Sequence, residues 1–263
     1  MRKQWLSILV AVAFAVGPVT ADVWDTAVDT DNGSGTDNEL VHGTVQVHDV
    51  SVQPGNQVDA DWYRASVPPR SSIEVLIDGF AGDVSSTPDD LQLDRLDQSG
   101  TTVVQDHACL MTSCLAKRVG WQNTSSIEDL SFIRISSPGC GTACTTSDQY
   151  TIRARETTIS IARFNNSGTQ TTVLLTQNNG ATTVNASFFY WSTGGTLLQT
   201  GTLSLGPKAL NVFNTSSSIT LQGVGGSVTI AHDGGYGQLN VKAVALEPAT
   251  GFSFDTPGVY KGF

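Results

Sequence analysis

The sequence predicts an all-β protein with two β-sandwich domains after an N-terminal signal peptide. Strand-like runs recur at intervals of about 8–12 residues and are separated by turn residues, a spacing typical of sandwiches. No convincing helical repeat appears after residue 21. Charge and composition also change near Glu156, which predicts domains at residues 22–156 and 157–263.

Residues 1–21 have the three parts of a signal peptide. Arg2 and Lys3 are basic, Trp5 to Val16 form an apolar run, and small residues precede the cleavage site after Ala21. The apolar run has about 12 residues, whereas a membrane-spanning helix needs about 20. We therefore expect a mature chain without a transmembrane segment, either secreted or located in the periplasm or cell envelope.

The acidic residues are concentrated in the first predicted domain. Residues 22–156 carry 21 acidic against 8 basic side chains, a net charge of -13, whereas residues 157–263 carry 3 against 4, or +1. Nucleic-acid binding needs clustered Lys and Arg, so this balance argues against it. It favours metal cations or simple solubility.

Alternation with a period of two predicts the strands of the first domain. In the first of them, the valines of Val41 to His48 share one face, and His42 and His48 share the polar face, where we expect them to be exposed. Further runs follow at 62–67, 73–77, 91–93, 101–104, 132–135 and 150–154. Residues 107–128 show no clear period.

The run from Asp59 to Val67 is the most informative stretch. On a strand, Asp59, Asp61 and Tyr63 share one face, and Trp62 lies on the other. The apolar residues beyond Tyr63 make this the core face, so the carboxylates lie at the mouth of the strand. Such a position suits a hard cation or a network of backbone N–H groups.

Four cysteines in an exported chain predict disulfides. Cys109 and Cys114 form one close pair and Cys140 and Cys144 another, and three pairings remain open. Zinc bound by four thiolates is the alternative. The spacers of four and three residues are longer than the two-residue spacers that zinc ribbons prefer, so disulfides are favoured.

The order of these strands and the Asp61-Trp62-Tyr63 motif resemble the bacterial pre-peptidase C-terminal domain, which is appended to many secreted proteases and collagenases. The resemblance covers residues 22–156 and implies a jelly-roll-like sandwich. It also implies a Ca²⁺ site in which an acidic N-terminal arm faces the motif. The residues in these positions are Asp29, Asp31, Asn32, Asp59 and Asp61.

The second domain is rich in Thr, Ser, Asn and Gly. About seven strand-like runs separated by Gly-Gly and Gly-Pro turns predict an immunoglobulin-like sandwich. This half resembles uncharacterised sandwich modules of bacterial exported proteins, a resemblance that implies no activity. The aromatic tail from Gly251 to Phe263 is expected to lie across one sandwich.

No catalytic motif is apparent. The sequence has neither a Gly-x-Ser-x-Gly elbow nor a His-Glu-x-x-His zinc motif. Turn chemistry accounts for His232-Asp233-Gly234, and the loop that starts at Asp29 fails the EF-hand pattern, because its twelfth position is Leu40.

Trp62 and Trp121 are candidates for an aromatic platform that binds a sugar or a peptide. The alternative for Trp62 is burial beneath a loop or the second domain. We expect a secreted, non-enzymatic binding or accessory module, stabilised by Ca²⁺, whose partner is an extracellular protein or polysaccharide. The alternatives are an accessory or inhibitor of a secreted protease and a structural cell-surface protein.

Overall fold

The computed structural model describes residues 33–51, 60–82, 91–110, 114–138 and 144–261. These residues form seventeen strands, so the predicted all-β class is confirmed. The strands are β1 Val45–Asp49, β2 Ala60–Val67, β3 Ser71–Asp78, β4 Gln92–Leu96, β5 Val103–Asp106, β6 Ala108–Cys109, β7 Lys117–Asn123, β8 Asp129–Ser136, β9 Gln149–Glu156, β10 Ile159–Asn165, β11 Thr171–Asn178, β12 Val184–Ser192, β13 Leu197–Leu205, β14 Leu210–Asn214, β15 Gly225–His232, β16 Leu239–Glu247 and β17 Phe252–Tyr260. Two short 3-10 helices, Thr215–Ser217 and Ile219–Leu221, follow β14.

Strands β1 to β9 form a sandwich of two antiparallel sheets. One sheet has the order β1-β9-β3-β7-β6 and the other β2-β8-β4-β5. The inner faces pack Tyr63, Ala65 and Val67 of β2 against Ile73 and Val75 of β3 in one hydrophobic cluster. The predicted inward face of β2 is therefore confirmed.

Strands β10 to β17 form a second sandwich from one continuous sheet, in the order β13-β12-β15-β10-β17-β16-β11-β14. The last strand joins its two layers: residues 252–257 of β17 pair with β16, and residues 258–260 pair with β10. A second hydrophobic cluster lies between the layers. The tail expected to lie across a sandwich is thus part of the sheet itself.

The first strand is oriented differently from what its pattern suggests. Val45 and Val47 are 54% and 58% exposed, whereas His48 is buried at 1% exposure. The expectation that His48 is exposed is wrong, because its ring packs against Tyr63 and Tyr150, with ring centroids 5.0 and 5.8 Å away.

Ser72 of β3 connects the two sandwiches. Its backbone N–H donates to Thr158 Oγ1 at 2.9 Å, and its carbonyl accepts from the backbone of Thr157 at 2.9 Å. Its Oγ accepts from Thr157 Oγ1 at 2.9 Å and from the backbone N–H of His232 at 3.0 Å. One buried serine therefore fixes the connection at residue 157 and the end of β15.

The signal peptide predicted for residues 1–21 lies outside the described residues. In the part of the chain that the structure describes, no helix is long and apolar enough to cross a bilayer.

Candidate ligand sites

Of the five residues predicted to hold calcium, the structure describes one. Asp29, Asp31, Asn32 and Asp59 lie outside the described residues. Asp61 is on the inner face of β2 and is 1% exposed. Its carboxylate therefore points into the first sandwich and not into solvent at the mouth of the strand.

Asp61 belongs to a buried network of polar aromatic side chains. The Tyr150 hydroxyl donates a hydrogen bond to Asp61 Oδ2, and the Tyr63 and Tyr150 hydroxyl oxygens are 2.6 Å apart. Because the hydrogen of Tyr150 points to Asp61, Tyr63 donates to Tyr150. Burial and the neighbouring Asp61 carboxylate raise the pKa of Tyr150 well above its usual value. The network holds a charged group in a core, where an unpaired carboxylate would be costly.

The buried position of Asp61 limits the oxygen ligands that its carboxylate can offer to a cation. Calcium takes six to eight oxygen ligands, and among the described residues Asp61 is the one predicted ligand present, with Oδ2 already accepting from Tyr150. Calcium binding therefore stays a prediction that depends on residues beyond the described ones.

The cysteines near β6 and β7 are oxidised. Cys109 and Cys114 form a disulfide, which confirms a local pairing for this pair. Cys144 is disulfide-bonded as well, and Cys140 lies outside the described residues. His107, Cys109 and Cys114 place ligand atoms within 4.8 Å of one another, but sulfurs bonded to each other are not thiolate ligands for zinc. The four-thiolate zinc alternative is therefore not what the structure shows.

The two tryptophans predicted as a platform lie on different sheets. Trp62 of β2 is half-buried, beside Phe132 at 6.3 Å and Arg134 at 5.9 Å. Trp121 of β7 is 4% exposed and donates from Nε1 to Asp129 at 3.1 Å. Trp121 is thus a core residue with no face open to a ligand.

The second sandwich has a slot between its layers that sequence reasoning missed. It opens between the edge strands β13 and β14 and has a volume of about 320 Å³. Aromatic rings form much of its wall. Its lining residues are Leu174, Thr176, Phe188, Tyr190, Gln199, Gly201, Thr202, Leu203, Asn211 and Phe213. We call this cavity the aromatic slot.

Gly201 creates much of the space in the aromatic slot. It pairs with Phe188 across the β12–β13 ladder, and a Cβ atom on Gly201 would have no neighbour within 4 Å. A glycine inside a strand weakens it and often marks a place where a ligand or another backbone comes close. This glycine, flanked by the strand-forming runs of β13, is the sequence signal that could have located the slot.

The slot is uncharged. Its described lining residues include no carboxylate, imidazole, thiol or cationic side chain, and burial raises the pKa of Tyr190, which keeps its hydroxyl neutral. The polar side chains of the lining are the amides of Gln199 and Asn211 and the hydroxyls of Thr176, Tyr190 and Thr202. Such a wall can bind a neutral ligand by packing and hydrogen bonding.

No family model matches the chain, and no curated protein matches it. Similar solved structures include a calcium-binding mutant of Bacteroides uniformis beta-glucuronidase 2, with 14% identity and a TM-score of 0.22. Another is the extracellular region of zebrafish Gpr126/Adgrg6, with 9% identity and a TM-score of 0.23. The alignments cover 82% and 83% of this chain but only 28% and 31% of those structures. Similarity at this level carries no argument about function.

Proposed function

We propose that this chain is an exported, non-catalytic binding module that holds an extracellular polysaccharide in the aromatic slot. The observation that supports this function is the slot itself, an open cavity with three aromatic rings and neutral polar groups between the layers of the second sandwich. Small-molecule sites typically combine a mostly apolar wall with a few well-placed polar groups.

The chemistry of the slot fits a neutral sugar ring. Phe188, Tyr190 and Phe213 offer apolar surface to the C–H face of a pyranose, and Gln199 and Asn211 offer amide donors and acceptors to its hydroxyls. The described lining carries no carboxylate or imidazole that could act as a general acid or base, which supports binding of a sugar without its transformation.

Affinity electrophoresis in gels that contain galactomannan or mixed-linkage glucan tests this function. We expect two variants to weaken binding at least tenfold. Gly201→Val places a side chain in the slot from a position where an added Cβ atom has no neighbour within 4 Å, and Phe213→Ala removes part of the wall. Val212→Ala is the matched control, since Val212 lies on the same strand but is 59% exposed. Parent protein that is not retarded in either gel would refute the sugar ligand, and retardation that survives Gly201→Val would refute the slot.

Calcium stabilisation of the first domain is a separate part of the proposal. It is supported by nine acidic and no basic residues between Asp22 and Asp61, a run whose mutual repulsion a divalent ion relieves. Free Ca²⁺ at about 100 times its Kd should add about 2.7 kcal/mol to the free energy of unfolding. The melting temperature should rise in millimolar Ca²⁺ over EDTA, and Asp59→Asn with Asp61→Asn should abolish the rise. Identical melting curves in EDTA and in Ca²⁺ for the parent protein would refute the proposed calcium stabilisation.

A further inference from the structure

The outer face of the five-stranded sheet carries three arginines in one patch. Arg118 of β7 and Arg153 of β9 both lie opposite Leu76 of β3, and Arg155 lies opposite Glu74. Alternate residues of a strand share a face, and side chains on neighbouring strands lie side by side. The three side chains therefore extend from two adjacent rows of the sheet, towards the second sandwich.

Each arginine makes a different kind of contact: a backbone hydrogen bond, a contact with an aromatic ring, or an ion pair. Arg118 donates from Nη1 to the carbonyl oxygen of Asp233 at 2.9 Å. The guanidinium carbon of Arg155 lies 5.4 Å from the ring centroid of Tyr236. Arg153 forms an ion pair with Asp78. Contacts with backbone and ring position Arg118 and Arg155 without neutralising them.

The local charge is positive although the chain as a whole has a net charge of -10. The three arginines face the carboxylates of Glu74 and Asp78, so these five side chains together carry an excess of one positive charge, while the nearby Asp233 carboxylate bonds to Asn185. Glu74 is 5% exposed, and burial raises its pKa against the opposite effects of the Tyr236 backbone and the arginines. A carboxyl group that resists ionisation neutralises its neighbours less completely.

Two cavities open along the patch, and Arg155 and Tyr236 line both. The smaller, of about 290 Å³, is lined by His42, Gly43, Val45, Arg153, Arg155 and Tyr236. The larger has a volume of about 510 Å³ and extends over Arg118 and Glu74 to Asn179, Thr182 and Gln238 of the second sandwich. We call the two cavities together the arginine groove.

We propose that the arginine groove is a second binding site, which takes an acidic oligosaccharide through its uronate carboxylates. It shares no lining residue with the aromatic slot and does not depend on the function assigned to that slot. Arg118 and Arg155 pair with carboxylates, and the Asn179 amide and the Thr182 hydroxyl bind sugar hydroxyls.

Guanidinium groups are suited to this ligand. Their planar fork matches a carboxylate in a bidentate geometry, and charge-assisted hydrogen bonds are about twice as strong as neutral ones. The arginines are half-buried, so their ion pairs with a ligand are less screened than pairs on an open surface. Arg118 and Arg155 lie on two rows of the sheet and both line the larger cavity, an arrangement that fits a chain with a carboxylate on successive sugars.

Isothermal titration of the full chain with oligogalacturonate at low ionic strength tests the site. Arg155→Gln should weaken binding at least tenfold, and Arg155→Lys should weaken it measurably, because it keeps the charge but loses the fork. Arg64→Gln removes the same charge from the exposed face of β2 and should bind as the parent does. Melting curves of all variants establish that they are folded, and Arg155→Lys retains a cation beside Glu74 if Arg155→Gln is unstable.

Binding by Arg155→Gln and Arg155→Lys at the affinity of the parent would overturn the site. A loss of affinity in Arg64→Gln as large as that in Arg155→Gln would also overturn it, because it would indicate non-specific electrostatic attraction. Dextran sulfate and neutral galactan serve as comparison probes. Binding of dextran sulfate in the same titration, without binding of oligogalacturonate, would overturn the uronate assignment. Gly201→Val, which narrows the aromatic slot, should leave oligogalacturonate binding unchanged, so a failure at one site is distinguishable from a failure at the other.

Discussion

Asp61 keeps a carboxylate inside the first sandwich, and Tyr150 is the hydrogen-bond donor that makes this tolerable. Tyr150→Phe removes the hydroxyl that donates to Asp61 and accepts from Tyr63. We expect it to lower the free energy of unfolding by about 1–3 kcal/mol, the usual range for a buried polar group that loses its partner. Tyr63→Phe removes the donor at the end of the network away from Asp61 and should lower the free energy of unfolding by less. Urea unfolding of both variants measures the difference, and a Tyr150→Phe variant as stable as the parent would contradict the network.

His232 makes stability depend on pH. Burial, and secondarily the nearby Arg118 charge, lower its pKa to about 4. The unfolded chain, with a pKa of about 6.5 for this group, binds a proton at higher pH than the native state does. Stability from this residue is therefore complete above about pH 6.5 and falls as the pH decreases towards 4.

The loss assigned to His232 should reach about 1.4 kcal/mol at pH 5.5. Urea unfolding at pH 7.5 and pH 5.5 gives the change for the parent and for His232→Gln. The variant should lose that share of the change, while His42, His48 and His107 contribute to both proteins alike. Equal changes in the two proteins would show that His232 is accessible to protons in the native state.

At the scale of strands, period-two patterns predict which residues share a face but not which face is inside. The pattern of β1 correctly separates the valines from His48, yet His48 is buried and Val47 exposed. The Tyr63 and Tyr150 rings come from other strands and make the aromatic environment that His48 fills. Tertiary packing of this kind is not visible in the local sequence.

Strand β7 shows the opposite problem, because its sequence has no clear period although the strand lies inside the sheet, between β3 and β6. Lys117 is buried with its amine donating to the carbonyl of Leu91, and Gly120 is also buried. A Cβ atom on Gly120 would come within 2.8 Å of the carbonyl oxygen of Asp233. The glycine is required by the close approach of the second sandwich, a constraint that belongs to another part of the chain.

The ligand sites also show that local patterns predict which residues share a face but not how elements pack against one another. Tyr63 and its neighbours on β2 could be assigned to the core from alternation alone. The aromatic slot could not be located in this way, because Phe188 and Phe213 come from facing layers separated by a gap in packing. A pattern along one strand contains no information about the distance to the opposite layer.

The disulfide between Cys109 of β6 and Cys114, which precedes β7, gives a prediction about stability. Cys109 and Cys114 are five residues apart, and in the chain-entropy model so short a loop contributes about 2 kcal/mol. Replacing both by Ser should lower the free energy of unfolding by about that amount or less and leave the fold intact. Alkylation without reductant, followed by intact mass measurement, should find no free thiol in the exported protein. Free thiols with stoichiometric zinc would restore the metal alternative.

For the whole molecule, the two sandwiches are joined at a junction held by the hydrogen bonds of Ser72. The predicted domain boundary between residues 156 and 157 implies that residues 22–156 and 157–263 fold when expressed separately, since each part contains its own hydrophobic cluster. Amide exchange on the separate halves and on the full chain tests this. Protection of the full chain alone would mean that neither half is a domain.

The junction itself should stabilise the joined chain. Ser72→Ala leaves the buried backbone N–H of His232 without its Oγ acceptor, and we expect the free energy of unfolding to fall by about 1–3 kcal/mol. Because the sandwiches are then less tightly coupled, we also expect them to unfold at temperatures further apart in calorimetry. Ser71→Ala is the matched control, because its hydroxyl bonds within the first sandwich, to the carbonyl of Pro68. The same thermogram for both variants would show that Ser72 does not couple the sandwiches.

The double role of β17 also determines the order in which the chain can fold during synthesis. A ribosome delivers β1 to β9 first, and domains generally fold as units as they emerge. Strand β10 is synthesised well before β17 and β16 just before it, yet the two layers are joined through residues 252–260. The second sandwich must therefore wait, with its two layers unjoined, until nearly the last of its residues has left the exit tunnel.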